Sequence, residues 1–350
     1  MKLDGGMGMH SADGRVTASM DKAAADAAAL EAAGYSGAWT AELAHDPFLP
    51  LVLAAERTET IDLGTAIAVA FARNPMTLAN TGWDLQAWSR GRFILGLGSQ
   101  IRPHITKRFS MPWSRPAARM SEMVAAIRAI WAAWETGERL SFRGEFYQHT
   151  LMTPMFSPGP NPFGPPPIFL AAVGDRMTEV AGESADGWIS HAFTTPDYLR
   201  EVSLPALDRG AIRAGRDPRS IQVSIPLFIV TGTTEEEMAA SAAATRRQLS
   251  FYGSTPAYRP VLEHHGWGEA QEELNRMSKQ GQWVEMAEVI DDEMLRTFAV
   301  VAEPDHLAEA VAASHRGLID RLTFGQGIRP DGPWPEVREA LRAIPGRSPE

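Results

Sequence analysis

The stretch Arg90-Gly91-Arg92-Phe93-Ile94-Leu95-Gly96-Leu97-Gly98-Ser99-Gln100-Ile101-Arg102-Pro103 decides how the chain is to be folded. Residues 93–97 form an apolar run that reads as a buried strand, and it ends in a Gly-x-Gly turn that resembles the opening of a dinucleotide loop. The resemblance stops there. The third glycine of that fingerprint would stand at residue 101, which is Ile, and Pro103 interrupts the helix that would have to begin. A doubly wound sheet would also want its glycine loop after the first strand, which has none. Two readings of the turn stay open: a tight turn that needs glycine for itself, and a bare backbone that a planar ligand can approach.

Outward from this strand, short apolar runs alternate with longer segments of helical period almost to the end of the chain, the α/β signature. The strands expected are residues 2–5, 37–40, 61–69, 93–97, 167–171, 187–191, 221–230 and 320–325. Asp46-Pro47, Asn74-Pro75 and Thr195-Pro196 pair a polar cap with proline at a helix start. Gly34 supplies a left-handed stop after the first helix. The clearest helix follows Ser114, with Met120, Met123, Val124, Ile127, Ile130, Trp131 and Trp134 at helical spacing. Eight strands with crossover helices make one (β/α)8 TIM barrel over residues 1–350. Insertions on its C-terminal rim fall at about 140–166, which includes the Pro/Gly-rich run from Pro154, and at 249–296.

The 350 residues carry 33 basic and 43 acidic side chains, a net charge of −10, which argues against nucleic acid as a partner. There is no Cys, which removes disulfide scaffolds, thiolate metal sites and Cys nucleophiles together. Asp4 stands where a signal peptide needs an apolar run, and no later uncharged stretch is long enough to span a bilayer. The expectation is a soluble cytoplasmic protein with no membrane partner.

In a barrel the functional groups lie where strands end at the C-terminal face. Ala171-Ala172-Val173-Gly174-Asp175-Arg176-Met177 runs from a strand straight into a helix. Free amides at that start, with Arg176 beside them, suit an anion, and an ordinary turn with a solvated Arg is the plainer reading. From residue 85 to 121 there is no acid, yet Arg90, Arg92, Arg102, Lys107, Arg108, Arg115 and Arg119 all occur. Such a run is an anion-attracting field unless neighbouring acidic helices neutralise it. Of the nine His, His10, His45, His104 and His191 fall near strand ends, and no HxH or HExxH spacing supports a metal. Neither a G-x-S-x-G elbow nor a phosphate-binding P-loop occurs. Trp113, in Met111-Pro112-Trp113, is placed on a loop where it would cover a ligand ring.

Four segments resemble the luciferase-like monooxygenase superfamily, and within it the coenzyme F420 (deazaflavin)-dependent oxidoreductases. They are Ala32-Ala33-Gly34-Tyr35 leading into Ala38-Trp39-Thr40-Ala41-Glu42, Ile61-Asp62-Leu63-Gly64-Thr65-Ala66-Ile67, Arg90 to Gln100, and Ala181-Gly182-Glu183-Ser184-Ala185-Asp186-Gly187-Trp188. The third, with Gly174-Asp175-Arg176, is the most specific. The resemblance implies a barrel holding a flavin or deazaflavin over its mouth, against a non-prolyl cis peptide near Ala66-Ile67 and the turn Gly98, Ser99 and Gln100. It places the cofactor phosphate at Gly174, Asp175, Arg176 and Met177, with His191 to Thr195 closing the other side. Arg102, His104, Lys107 and Arg108 would hold the acidic deazaflavin tail. Flavin mononucleotide (FMN), the alternative cofactor, needs only one phosphate site. The sugar-phosphate dehydrogenase branch has His and Glu where this chain has Glu42 and Ile101, so a sugar phosphate does not suit it. Glu42, with His45 or His10, is the candidate for proton transfer, and a core salt bridge is the other reading of Glu42. The resemblance further implies a small-molecule substrate and a homodimer. An FMN-dependent monooxygenase and a non-catalytic flavin-binding protein are the alternative functions.

Overall fold

Strands buried on both faces need continuous apolar runs, and helices packed outside them need one apolar face, so the alternation in this sequence winds into a closed ring. The structure, a computed structural model, describes residues 1–7, 20–324 and 334–348. The ring strands are β1 (Lys2–Gly6), β2 (Gly37–Thr40), β3 (Asp62–Thr65), β4 (Phe93–Gly98), β5 (Ile168–Ala171), β6 (Gly187–Ile189), β7 (Gln222–Val230) and β8 (Arg321–Phe324). All pair in parallel in sequence order, and β8 closes on β1 with Lys2 opposite Arg321 and Leu3 opposite Leu322. The expected strand at 61–69 is broken. Its pairing with β4 stops at Gly64, the Ala66-Ile67 peptide is cis, and a two-residue strand, Ala68–Val69, resumes beside Leu97 and Gly98. His10 and residues 325–333 lie outside the described residues.

Helices α1 (Met20–Ala32), α2 (Leu49–Arg57), α3 (Pro75–Trp88), α4 (Pro116–Thr136), α5 (Asp175–Ser184), α6 (Leu204–Arg213) and α7 (Glu235–Gly253) follow β1 to β7. The Asn74 side chain accepts the Thr77 amide at 3.0 Å with Pro75 in the first turn, and Gly137 at φ 71° ends α4. The start expected at Asp46-Pro47 falls two residues later, at Leu49, after a turn in which Asp46 Oδ1 accepts the amides of Phe48 and Leu49. The apolar row of α4 is buried throughout.

Helices α5 and α6 approach backbone to backbone. A Cβ on Gly182 would lie 2.0 Å from the Leu207 carbonyl oxygen, and one on Gly210 would lie 2.0 Å from that of Glu179. At the barrel foot Arg321 makes a bidentate pair with Asp4, both bonds 2.8 Å, and reaches Asp62 across the ring, also at 2.8 Å. The Arg321 and Asp4 side chains are 1% and 0% exposed. Opposition by two carboxylates outweighs the cost of burial and holds the guanidinium pKa above its ordinary value.

Between β7 and β8 the chain makes a long excursion: α7, α8 (Arg259–His264), α9 (Gly268–Lys279), α10 (Asp292–Phe298), a short strand Ala299–Val301 beside the end of β7, and α11 (Pro304–His315). Leu249, Leu262, Leu274, Met286, Met294 and Phe298 form an apolar core here, separate from the barrel core and joined to Phe193, Phe228 and Val230 at the ends of β6 and β7. The last described helix is α12 (Trp334–Arg342). Among the described residues no helix is long and apolar enough to cross a membrane.

Candidate functional site

The barrel interior narrows to Trp39, Ile94, Phe169 and Ile189, and above these Ala66, Ile67 and Ala171 form a partly open apolar floor. The small residues beside this floor have identifiable causes. A Cβ on Gly96 would lie 1.6 Å from the Thr65 carbonyl oxygen, and one on Gly98 would meet Ile67 Cδ1 at 2.5 Å. Thr65 Oγ1 also takes the Gly96 amide at 3.0 Å and donates to its carbonyl at 2.6 Å. Gly96 and Gly98 lie within β4 and not in the tight turn their pattern suggested, and they are glycine because β3 and its bulge press against them. Gln100 then turns the chain away in a left-handed conformation, φ 58°, with Ser99 Oγ 3.2 Å from its carbonyl.

Glu42, after β2, holds the bulge in place. Its amide donates to the Ile67 carbonyl at 3.0 Å, and its Oε2 accepts the Val69 amide at 2.7 Å and Arg73 Nη1 at 2.5 Å. Arg73 also reaches Asp46 at 3.0 Å. Glu42 is 8% exposed, so the salt-bridge reading of this residue describes its surroundings. His45 is exposed on the same loop.

The basic window divides in space, which corrects its reading as a single field. Arg92 binds the carbonyls of Ile61 and Thr58, at 2.8 and 2.9 Å, near the foot of β3. Arg90 precedes β4 at the same end. Arg115 pairs with Glu145, and buried Arg119 donates to Tyr147 Oη at 2.8 Å and the Pro112 carbonyl at 2.7 Å. The remaining three, Arg102, Lys107 and Arg108, are exposed together with His104 around a π turn, His104–Arg108, that is anchored by buried Ile105. Arg108 donates to the Leu43 carbonyl, so this strip bridges the ends of β4 and β2 over the bulge. Trp113 packs edge-on against buried Phe71 at 5.8 Å.

At the end of β5, the neighbour of β4 in the ring, Gly174, φ 79°, opens α5. Arg176 is directed back along the helix, 2.8 Å from Glu179 and 3.3 Å from Glu183, and Arg209 and Arg213 share these carboxylates. Its charge is spent there. The helix start keeps its amides, with Asp175 and Met177 beside them. Arg176 is therefore neither the anion partner nor the unpaired, solvated side chain expected of it, although Glu179 stands at the three-residue pairing distance of a helix face.

His191 closes the third side. Its ring stacks on Tyr258 at 4.4 Å and meets Tyr252 edge-on at 4.6 Å, both tyrosines coming from the excursion and its approach. Nδ1 accepts the Phe193 amide at 3.0 Å. Burial lowers the His191 pKa to about 4 and pushes the Tyr258 phenol up to about 12, aided there by Tyr252. Farther along, Thr195 Oγ1 lies 2.8 Å from His265 Nε2. No sequence pattern marked Tyr252, Tyr258 or Arg73, because each acquires its neighbours only on folding.

A family model described as luciferase-like monooxygenase matches residues 5–321. An uncharacterized protein of Mycobacterium tuberculosis is 56% identical over 318 residues, covering 91% of this chain and 94% of that one. Among solved structures, the coenzyme F420-dependent tetrahydromethanopterin reductase of Methanopyrus kandleri superposes with a TM-score of 0.76 at 20% identity, covering 98% of each chain. The oxygenating constituent of 3,6-diketocamphane monooxygenase from Pseudomonas putida, in complex with FMN, superposes with a TM-score of 0.67 at 17% identity, covering 99% and 98%. These likenesses establish a shared barrel.

Proposed function

This chain belongs to the luciferase-like monooxygenase family, and from that premise we propose that it is a coenzyme F420-dependent oxidoreductase that moves a hydride between the deazaflavin and a small organic substrate. The floor of Ala66, Ile67 and Ala171 suits a flat ring, being apolar and only partly buried. When bound there, the deazaflavin would supply the hydride donor or acceptor.

The observation that carries the choice of deazaflavin is the exposed strip Arg102, His104, Lys107 and Arg108. It lies on the rim of a chain whose net charge is −10 and has no acid in sequence from 85 to 121. A ligand with several negative charges would be steered to such a strip. A single phosphate would sit at the amides of Gly174, Asp175 and Met177, and because that site alone suffices for FMN, an FMN-dependent monooxygenase is the second reading. Glu42 orients the bulge, and it could move a proton only by loosening Arg73; His45, exposed on the same loop, has no such tie among the described residues.

Titration of the purified protein with F420 of different tail lengths, and with FMN, tests this. F420 affinity should rise with tail length and fall with salt. Arg102→Ala combined with Lys107→Ala should weaken F420 about tenfold and FMN little, a loss on the scale of two charge-assisted contacts. Tight FMN binding without F420 binding would refute the proposal. F420 binding with no turnover over a broad panel of acceptors would favour a carrier.

A further inference from the structure

We infer that His191 is a hydrogen-bond donor of fixed tautomer, which presents Nε2–H to a carbonyl oxygen of the ring bound at the barrel mouth, and that Tyr258 and Tyr252 are its positioning residues. The inference rests on the proposed ring-binding role of the mouth. It starts from a single contact: Nδ1 lies 3.0 Å from the Phe193 amide nitrogen. An amide N–H can only donate, so Nδ1 is the bare nitrogen of the imidazole and the proton stands on Nε2.

Nε2 has no hydrogen-bond partner among the described residues, and it is not one of the buried orphan atoms, so it keeps contact with solvent. The ring is not free to turn. Tyr258 lies on one face, its plane 22° from that of the imidazole, and Tyr252 stands at 88° to the imidazole plane. Rotation that brought Nδ1 outward would leave the buried Phe193 backbone without its acceptor, which costs about 1–3 kcal/mol. Burial also opposes charging of the ring. His191 therefore offers one neutral N–H in one direction, a device that recognises an acceptor atom and does not deliver a proton. Flavin and deazaflavin rings both carry carbonyl oxygens, and His191 stands two residues beyond Ile189, whose side chain packs with the floor of Ala66, Ile67 and Ala171.

Two measurements on the full chain test this. Nitrogen-15 histidine spectra, with the His191 signals identified by their loss in His191→Gln, should show Nδ1 as a bare acceptor and Nε2 as protonated. Both should stay unchanged from pH 8 to pH 5.5 without cofactor. An Nδ1–H tautomer, or titration within that range, overturns the inference whatever ring binds. In Tyr258→Leu the same signals should show mixed tautomers, which a purely packing role would not produce. The second measurement is binding of F420 and of FMN. His191→Phe should weaken whichever ring the wild type binds about tenfold, and His191→Gln, which keeps an N–H donor, should recover most of that. Equal affinity in wild type and His191→Phe overturns the donor role. Binding of FMN alone would refute the deazaflavin reading and leave the His191 inference standing.

Discussion

Replacing Gly210 by Ala sets two known effects against each other, and the geometry of α5 and α6 decides between them. In a helix interior, Ala is preferred over Gly by about 1 kcal/mol, so propensity alone predicts a more stable protein. The added Cβ, however, would lie 2.0 Å from the Glu179 carbonyl oxygen and 2.7 Å from its carbon. An ordinary carbon to oxygen contact needs about 3.3 Å, so the helices must part by roughly 1 Å. The obstacle is backbone and cannot rotate aside. Overpacking of this kind costs ~1–3 kcal/mol and more where main chain has to move, so the expected net change is a loss of about 2 kcal/mol. Thermal unfolding followed by circular dichroism should show a midpoint several degrees lower. Displacement of α5 also carries the Gly174 start with it, so cofactor affinity should fall in the folded variant. Gly268→Ala is the control, since its Cβ meets only the Glu263 side chain, Cγ at 3.4 Å and Oε1 at 4.0 Å, and it should be neutral or stabilising. A Gly210→Ala protein as stable as the wild type would refute the claim that the close approach governs this helix pair.

Other expectations follow from buried charge. Asp4→Ala leaves Arg321 in the barrel foot with only Asp62 to oppose it and should cost about 3–5 kcal/mol, measured by denaturant unfolding, whereas Asp4→Leu with Arg321→Met should cost clearly less. Burial holds both His191 and His315 neutral down to about 4. The unfolded chain binds these protons near pH 6.5, so stability is full above that value and falls as pH drops toward 4, by roughly 3 kcal/mol per ring. His315→Gln should remove about half of that acid-side loss in midpoints measured between pH 7.5 and 4.5.

The barrel was legible because a strand buried on both faces must be apolar along its whole length. Residues 37–40 and 93–97 fall within one residue of the observed strands. The break in 61–69 was not legible as a loss of pairing, since Ala66 and Ile67 are as apolar as what surrounds them. Ala299–Val301 was missed because it is short and follows a helix directly. At the site, sequence showed which residue types cluster but not which end of the ring they occupy. Arg92 and Arg102 lie ten residues apart, with β4 between them, so one serves the foot and the other the mouth. The Gly-x-Gly segment left a tight turn and a bare ligand-facing backbone both open; it is strand, and the pressure of Thr65 and Ile67 that requires glycine there is a contact between strands.

The pairing of Asp4 with Arg321 joins residues 317 positions apart and welds the first strand to the last. At a synthesis rate of about 5–20 residues per second, roughly 15–60 s separate the emergence of the two partners from the ribosome. During that interval the first strand has one edge and one carboxylate without their partners, and Lys2 and Asp4 keep that edge charged and averse to mispairing. The residue that later becomes the most deeply buried acid of the ring serves first as its solubilising guard.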